Sequence, residues 1–143
     1  MSLILARNGF HTYATMRNIE GRGGAKQIAN IAKDENLPLE IIQLDVNDDK
    51  SVTEAINRIA KEKDRIDVVV NNAGCDLMGA LEETTIDEIK AQFGTNFFGA
   101  IRVMQRVMPM MRKQGGGIIV NITSLGGRIS FPLNSPYHAT KSL

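Results

Sequence analysis

Tyr137 and Lys141 stand four residues apart in the run Tyr-His-Ala-Thr-Lys. On a helix that spacing puts both side chains on one face. A phenol, with a reference pKa of about 10, is a poor acid–base catalyst at neutral pH. A nearby ammonium favours the phenolate and lowers that pKa, so the pair reads as a general acid/base. The plain alternative is an ordinary helix turn with a surface lysine. Ser124 precedes Tyr137 at the mouth of a strand, where a hydroxyl can stabilise charge developing on a carbonyl oxygen. Serines are also common in such loops for turn reasons alone. Asn71-Asn72-Ala73-Gly74 follows another strand and reads either as a turn or as a platform for an adenine and its ribose. Asn96 interrupts a helical pattern, where an amide is locally disfavoured. It reads as a satisfied core residue, or as a turn that holds a water near the lysine.

These residues need elements to carry them. Short apolar runs alternate with longer helical patterns. Leu3–Asn8 reads as the end of a helix, with Gly9 as its stop. His11–Met16, Leu39–Leu44, Ile66–Val70 and Ile118–Ile122 read as strands, the last two as buried parallel ones. Ala25–Glu35 and Ser51–Lys61 read as helices, and Ser51 with Glu54 makes a capping box. Thr85 with Glu88 makes a second. After it Ile86, Ile89, Phe93, Phe97, Ala100, Met104, Val107 and Met111 form one apolar stripe. Pro109 is expected to kink this long helix, and Gly115–Gly117 to stop it. Thr123–Pro136 reads as a loop and Tyr137–Leu143 as the start of a further helix. Ile19–Ala25, with three glycines, reads as a loop. The alternation implies an α/β, doubly wound parallel sheet in a single partial domain over 1–143. Ligands of such sheets bind beyond the carboxyl ends of the strands. The unusual polar residues cluster at those ends.

Composition narrows the class. The chain has 143 residues, 43% of them hydrophobic, which suits one globular core. Lys plus Arg is 17 against 16 Asp plus Glu, for a net charge of +1. That balance points to no nucleic-acid partner. Cys75 is the only cysteine, so no internal disulfide forms and a reducing, cytoplasmic setting is expected. Cys75 itself reads as a buried or half-buried inert thiol, and His138 as a non-catalytic neighbour of Tyr137. No apolar run approaches a membrane span, and no metal-ligand spacing stands out.

Taken together, four motifs in order resemble the short-chain dehydrogenase/reductase family: Asn-Asn-Ala-Gly at 71–74, Asn-Phe-Phe-Gly at 96–99, Asn-Ile-Thr-Ser at 121–124 and Tyr-His-Ala-Thr-Lys at 137–141. The resemblance implies a Rossmann-like fold and an oxidoreductase that moves a hydride between NADP(H) or NAD(H) and a carbonyl or alcohol substrate. It implies that Tyr137 exchanges a proton with the substrate oxygen. Lys141 would lower the tyrosine pKa and hold the nicotinamide ribose. Ser124 would polarise the carbonyl, and Asn96 would place a water in the proton relay. Asn72, Ala73 and Gly74 would face the cofactor, and Asp45 would contact its adenine end. NAD-preferring relatives put an acidic residue where Met16 stands. Here Arg17 follows it, and a guanidinium grips a 2′-phosphate, so NADP is expected over NAD. Homo-oligomers through the long helix and the catalytic helix are the family's habit.

The family's opening strand and its glycine-rich phosphate turn find no match here, nor do its later strands. In the family's strand order 3-2-1-4-5-6-7 the four strands present would form two pairs, 3-2 and 4-5. The expectation is a truncated chain that is weakly active or inactive. Two rivals stand beside it. One is a non-enzymatic interaction module on the same scaffold, which has no need of Tyr137 or Lys141. The other is a response-regulator-like domain, which calls for an acidic cluster that is not present.

Overall fold

A computed structural model describes residues 1–20 and 23–142. The chain divides into two compact units, Met1–Glu62 and Lys63–Leu143.

The first unit runs α1 (Ser2–Arg7), β1 (Thr12–Met16), α2 (Gly24–Asp34), β2 (Leu39–Gln43) and α3 (Asp49–Lys63), whose last residue opens the second unit. Strands β1 and β2 pair in parallel, Thr12 opposite Leu39 through Met16 opposite Gln43. Alternation along β1 buries Thr12 and Ala14. Helix α3 buries Val52, Ala55 and Ile56, the i, i+3, i+4 spacing of an amphipathic helix. The unit's other buried apolar residues are Ala6, Ala14, Ala25, Ala32, Ile42 and Leu44. The start of α3 corrects the expected capping box at Ser51. Asp48 is the cap, its Oδ1 accepting from the backbone N–H groups of Lys50 and Ser51. The Ser51 hydroxyl instead accepts from the backbone N–H of Asp45, 2.9 Å away. The loop expected over Ile19–Ala25 falls partly on Gly21 and Arg22, which lie outside the described residues.

The second unit runs β3 (Val68–Asn71), α4 (Ile86–Phe93), a wide π turn (Gly94–Phe98), α5 (Gly99–Lys113), β4 (Ile118–Asn121) and α6 (Ser135–Lys141), with single 3₁₀ turns at Leu81–Glu83 and Leu125–Gly127. Strands β3 and β4 pair in parallel, Val68 opposite Ile118 through Asn71 opposite Asn121. The two pairings are those the family's strand order implies. Neither β3 nor β4 is buried as the sequence predicts: Val68, Ile118 and Val120 are all exposed. Strand side chains project from the two faces of a sheet, and they are buried only where helices cover those faces. The capping box at Thr85 and Glu88 forms in full. Gly115, at φ +91°, lies just past α5, where the sequence places its stop.

The long amphipathic helix departs from its expected face. Ile86 is 65% exposed, and Phe93, Phe97, Ala100 and Met104 are only half-buried. The buried row is Gln92, Asn96, Gly99, Val103, Val107 and Met111. Its steps are of four residues, with one of three between Asn96 and Gly99. The two amides face inward because backbone groups of the neighbouring loop need them, which an apolar count cannot register. The chain also changes from α to π hydrogen bonding at Gly94–Phe98. Gly94, Thr95 and Asn96 are weak helix formers, and π turns of this kind recur at functional sites.

Candidate active site

In the second unit the expected residues converge at the carboxyl ends of β3 and β4. Asn71 and Asn121 close the two strands side by side, and the Asn71 amide donates to Asn121 Oδ1 at 2.8 Å. The exposed run Asn72–Cys75 follows. Its backbone is gripped by Asn96, only 5% exposed on the π turn. Asn96 Oδ1 accepts from the Cys75 N–H at 2.8 Å, and its Nδ2 donates to the Cys75 carbonyl at 2.8 Å. The same Nδ2 donates to Thr140 Oγ1 at 2.9 Å. Thr140, fully buried on α6, donates in turn to the Tyr137 carbonyl at 2.8 Å. One chain of hydrogen bonds therefore joins the Asn72–Cys75 loop, the π turn and the helix that carries Tyr137 and Lys141. Both hydrogens of the Asn96 amide nitrogen are spent on it, and Oδ1 accepts one bond.

Lys141 lies at the other end of the same cluster. Its Nζ donates to the Ile122 carbonyl at 3.1 Å, just beyond β4, and stands 5.9 Å from the centre of the Tyr137 ring. Lys141 Nζ and Asn96 Oδ1 also converge on Gly74, where a Cβ would meet each at 3.3 Å. Glycine is what lets the loop approach both. Beside these groups is a hollow of about 70 Å³, lined by Asn71, Ala73, Asn96, Asn121, Thr123 and Lys141 among others. Ser124 caps the turn after β4: its Oγ accepts from the Gly126 N–H at 3.2 Å. That is the turn role expected of a loop serine. It leaves the hydroxyl proton free to donate, and the accepted bond polarises it in that direction. Tyr137, Ser124 and Lys141 are each half-buried.

Arg17 and Asp45 belong to the first unit. The backbone bond from Leu44 N–H to the Met16 carbonyl, 2.9 Å, extends the β1–β2 ladder, so the two residues leave adjacent strand ends. Arg17 is exposed and forms no ion pair among the described residues. Asp45 is half-buried, and its Oδ1 accepts from the Asn47 N–H at 2.9 Å. Its other carboxylate oxygen accepts no hydrogen bond among the described residues.

Several parts were missed by sequence reasoning. Thr140 and Gln92 gave no signal, since each sits between motif residues on a face that apolar counting assigns to solvent. His138, read as a non-catalytic neighbour of Tyr137, is a buried backbone clamp. Cys75, expected buried or half-buried, is exposed, and its backbone is what Asn96 engages. Among the described residues there is no cluster of three metal-ligating side chains. No helix among them is long and apolar enough to cross a membrane.

The profile of the short chain dehydrogenase family matches residues 1–142. The chain belongs to the short-chain dehydrogenase family. It is 37% identical over 138 residues to 3-ketodihydrosphingosine reductase of Bacteroides thetaiotaomicron, which covers 96% of this chain and 46% of that one. A gluconate 5-dehydrogenase from Burkholderia cenocepacia, solved with NADP and tartrate, superposes with a TM-score of 0.88 at 30% identity, over 99% of this chain and 54% of its own. ElxO with NADP bound gives 0.87 at 36% identity, over 98% and 56%. The chain thus spans about half the length of these relatives. Its Rossmann-like α/β fold is that of dehydrogenases, and its relatives are oxidoreductases.

Proposed function

We propose that this short-chain dehydrogenase transfers a hydride between NADP(H) and a carbonyl or alcohol substrate, with Tyr137 as the general acid/base. The observation that carries the reading is the position of Lys141: its ammonium is fixed by the Ile122 carbonyl 5.9 Å from the Tyr137 ring and against Gly74. A cation so placed stabilises the phenolate that forms when Tyr137 gives its proton to a substrate oxygen. Ser124 donates its hydroxyl proton to the same oxygen and so stabilises the charge developing there. Asn96 serves through its backbone at the π turn and through the bonds that hold Cys75 and Thr140 in place.

The residues present fit a dinucleotide. Lys141 carries three donors, and among the described residues one is committed, to Ile122, so the others suit ribose hydroxyls. The glycine-lined approach at Gly74 admits a flat or ring-shaped group beside Asn72 and Ala73. Arg17 offers an unpaired guanidinium for a 2′-phosphate, and Asp45 an open carboxylate oxygen for the adenine end. NADP(H), when bound, supplies or accepts the hydride. Both units read as parts of one nucleotide-binding domain. A cytoplasmic enzyme that assembles with copies of itself is the setting we infer.

The test is a fluorescence titration of the purified chain with NADPH and, separately, NADH. NADPH should bind at least about tenfold more tightly, one charge-assisted contact's worth. Equal affinities would remove Arg17 as the selector, and binding of neither would sink the cofactor assignment.

A further inference from the structure

One buried side chain beside Tyr137 has no part in the reaction just described. His138 is 7% exposed, and both of its ring nitrogens meet backbone. Nδ1 lies 2.7 Å from the Gly126 carbonyl oxygen, so it carries the proton. Nε2 lies 2.7 Å from the Phe131 backbone nitrogen and accepts its N–H, the shorter of its two contacts; the Phe131 carbonyl oxygen lies 3.2 Å away. Together the two contacts select one form, a neutral imidazole protonated at Nδ1. With both nitrogens engaged, the ring has none left for substrate.

Gly126 is the pivot of this arrangement. Its N–H donates to Ser124 Oγ at 3.2 Å, and its carbonyl takes the His138 proton. A Cβ there would stand 2.9 Å from His138 Nδ1 and 3.1 Å from Tyr137 Cε1. The next residue, Gly127, packs against the Lys141 backbone carbonyl so closely that no Cβ fits. The turn bearing Ser124 is thus seated on the helix bearing Tyr137 and Lys141. The side chain that fastens Gly126 there is His138, next to Tyr137, while Lys141 holds the Ile122 carbonyl two residues before Ser124.

We propose that His138 is a positioning residue: through Gly126 it fixes the Ser124 hydroxyl relative to Tyr137. The inference rests on the reading of Ser124 and Tyr137 as the groups that meet the substrate oxygen. A serine on a loop would otherwise sample several placements, and donors held in advance are what make such stabilisation effective. Because the lock uses a δ-protonated ring, its two halves can be removed one at a time.

Three variants do this. His138→Asn keeps a donor where Nδ1 stands and loses the Phe131 contact. His138→Gln keeps an acceptor where Nε2 stands and loses the Gly126 contact. His138→Ala loses both. Reduction of acetophenone and cyclohexanone by NADPH should show kcat lowered about tenfold in the Gln and Ala variants and within about twofold of wild type in the Asn variant. NADPH affinity should be unchanged in all three. Equal loss in all three, accompanied by weaker NADPH binding, would make His138 a packing residue only and overturn the proposal. Long-range ¹H–¹⁵N spectra of the unsubstituted chain should show His138 protonated at Nδ1, with a slowly exchanging Gly126 amide. An Nε2–H ring would overturn the lock. Those spectra need no turnover, so a chain that reduces neither ketone counts against the proposed reaction while the lock is still judged on its own signal.

Discussion

The two units handle their candidate residues differently. In Met1–Glu62, Arg17 and Asp45 stand on loops just past their strands, and what holds Asp45 is local: its own Asx turn and the Ser51 hydroxyl six residues on. In Lys63–Leu143, the residues assigned to the chemistry are held by partners far away in sequence, Asn96 on Cys75 and Thr140, Lys141 on Ile122. The difference follows the task. A group that grips the charged rim of a ligand works from a mobile, hydrated position, because charge attraction tolerates misplacement. A proton donor must be held to a fraction of an ångström, so its supports are buried and cross-linked.

The strongest way to sharpen this contrast is to remove the acid/base itself. Tyr137→Phe should lower turnover about 10³-fold, the range general acid–base groups supply, with NADPH affinity retained. Absorbance of NADPH at saturating ketone reads it, and activity within tenfold of wild type would remove Tyr137 from the role.

Next is the support. Asn96→Ala leaves the Cys75 N–H without its acceptor and Thr140 Oγ1 without its donor, and leaves the Cys75 carbonyl only the longer bond from Gln92 at 3.4 Å. Leaving buried polar groups unpaired costs about 1–3 kcal/mol each, so a loss of about 3 kcal/mol in urea unfolding is expected. Turnover should fall with it. A variant as stable as wild type would mean that the cluster is not the staple described here.

The first unit should behave in the opposite way. Arg17→Glu should weaken NADPH binding about tenfold or more and leave NADH binding and the unfolding midpoint unchanged. If stability fell as it does for Asn96, the contrast between the two units would fail.

The smallest effect concerns pH. Burial first, and then the hydrogen bond to Glu62 and the nearby charges of Glu40 and Glu62, push the Tyr13 phenol up to about 12. A folded-state pKa above the unfolded value means stability that is present below the ordinary phenol range and is lost as pH rises through it towards 12. In a Tyr137→Phe background, which leaves Tyr13 as the only tyrosine, the 295 nm titration should rise late. After unfolding in urea it should rise near the ordinary value of about 10.

How much of this was legible in the sequence depended on the range of the interaction. The Thr85–Glu88 capping box and the helix stop at Gly115 are decided by neighbours a few residues apart, and each is found in the structure; the strand pairs, whose partners lie far apart in sequence, came from the family's strand order. Ser51 failed as a cap because Asp48, three residues earlier, offers a charged acceptor to the N–H groups of Lys50 and Ser51 and so starts the helix before Ser51. The long helix misled for another reason: its buried row begins with Gln92 and Asn96, and only the loop at Cys75 explains why amides face inward there.

The order of the motifs, the fold class and the types of group available for proton transfer were determined by the sequence alone. They are matters of residue identity and local spacing. Which side chains do the holding was decided only in three dimensions. Asn96 and Thr140 are 44 residues apart, and His138 reaches back 12 residues to Gly126. A buried hydrogen bond requires both partners to be brought together and dried at once, and no one-dimensional pattern records that pairing.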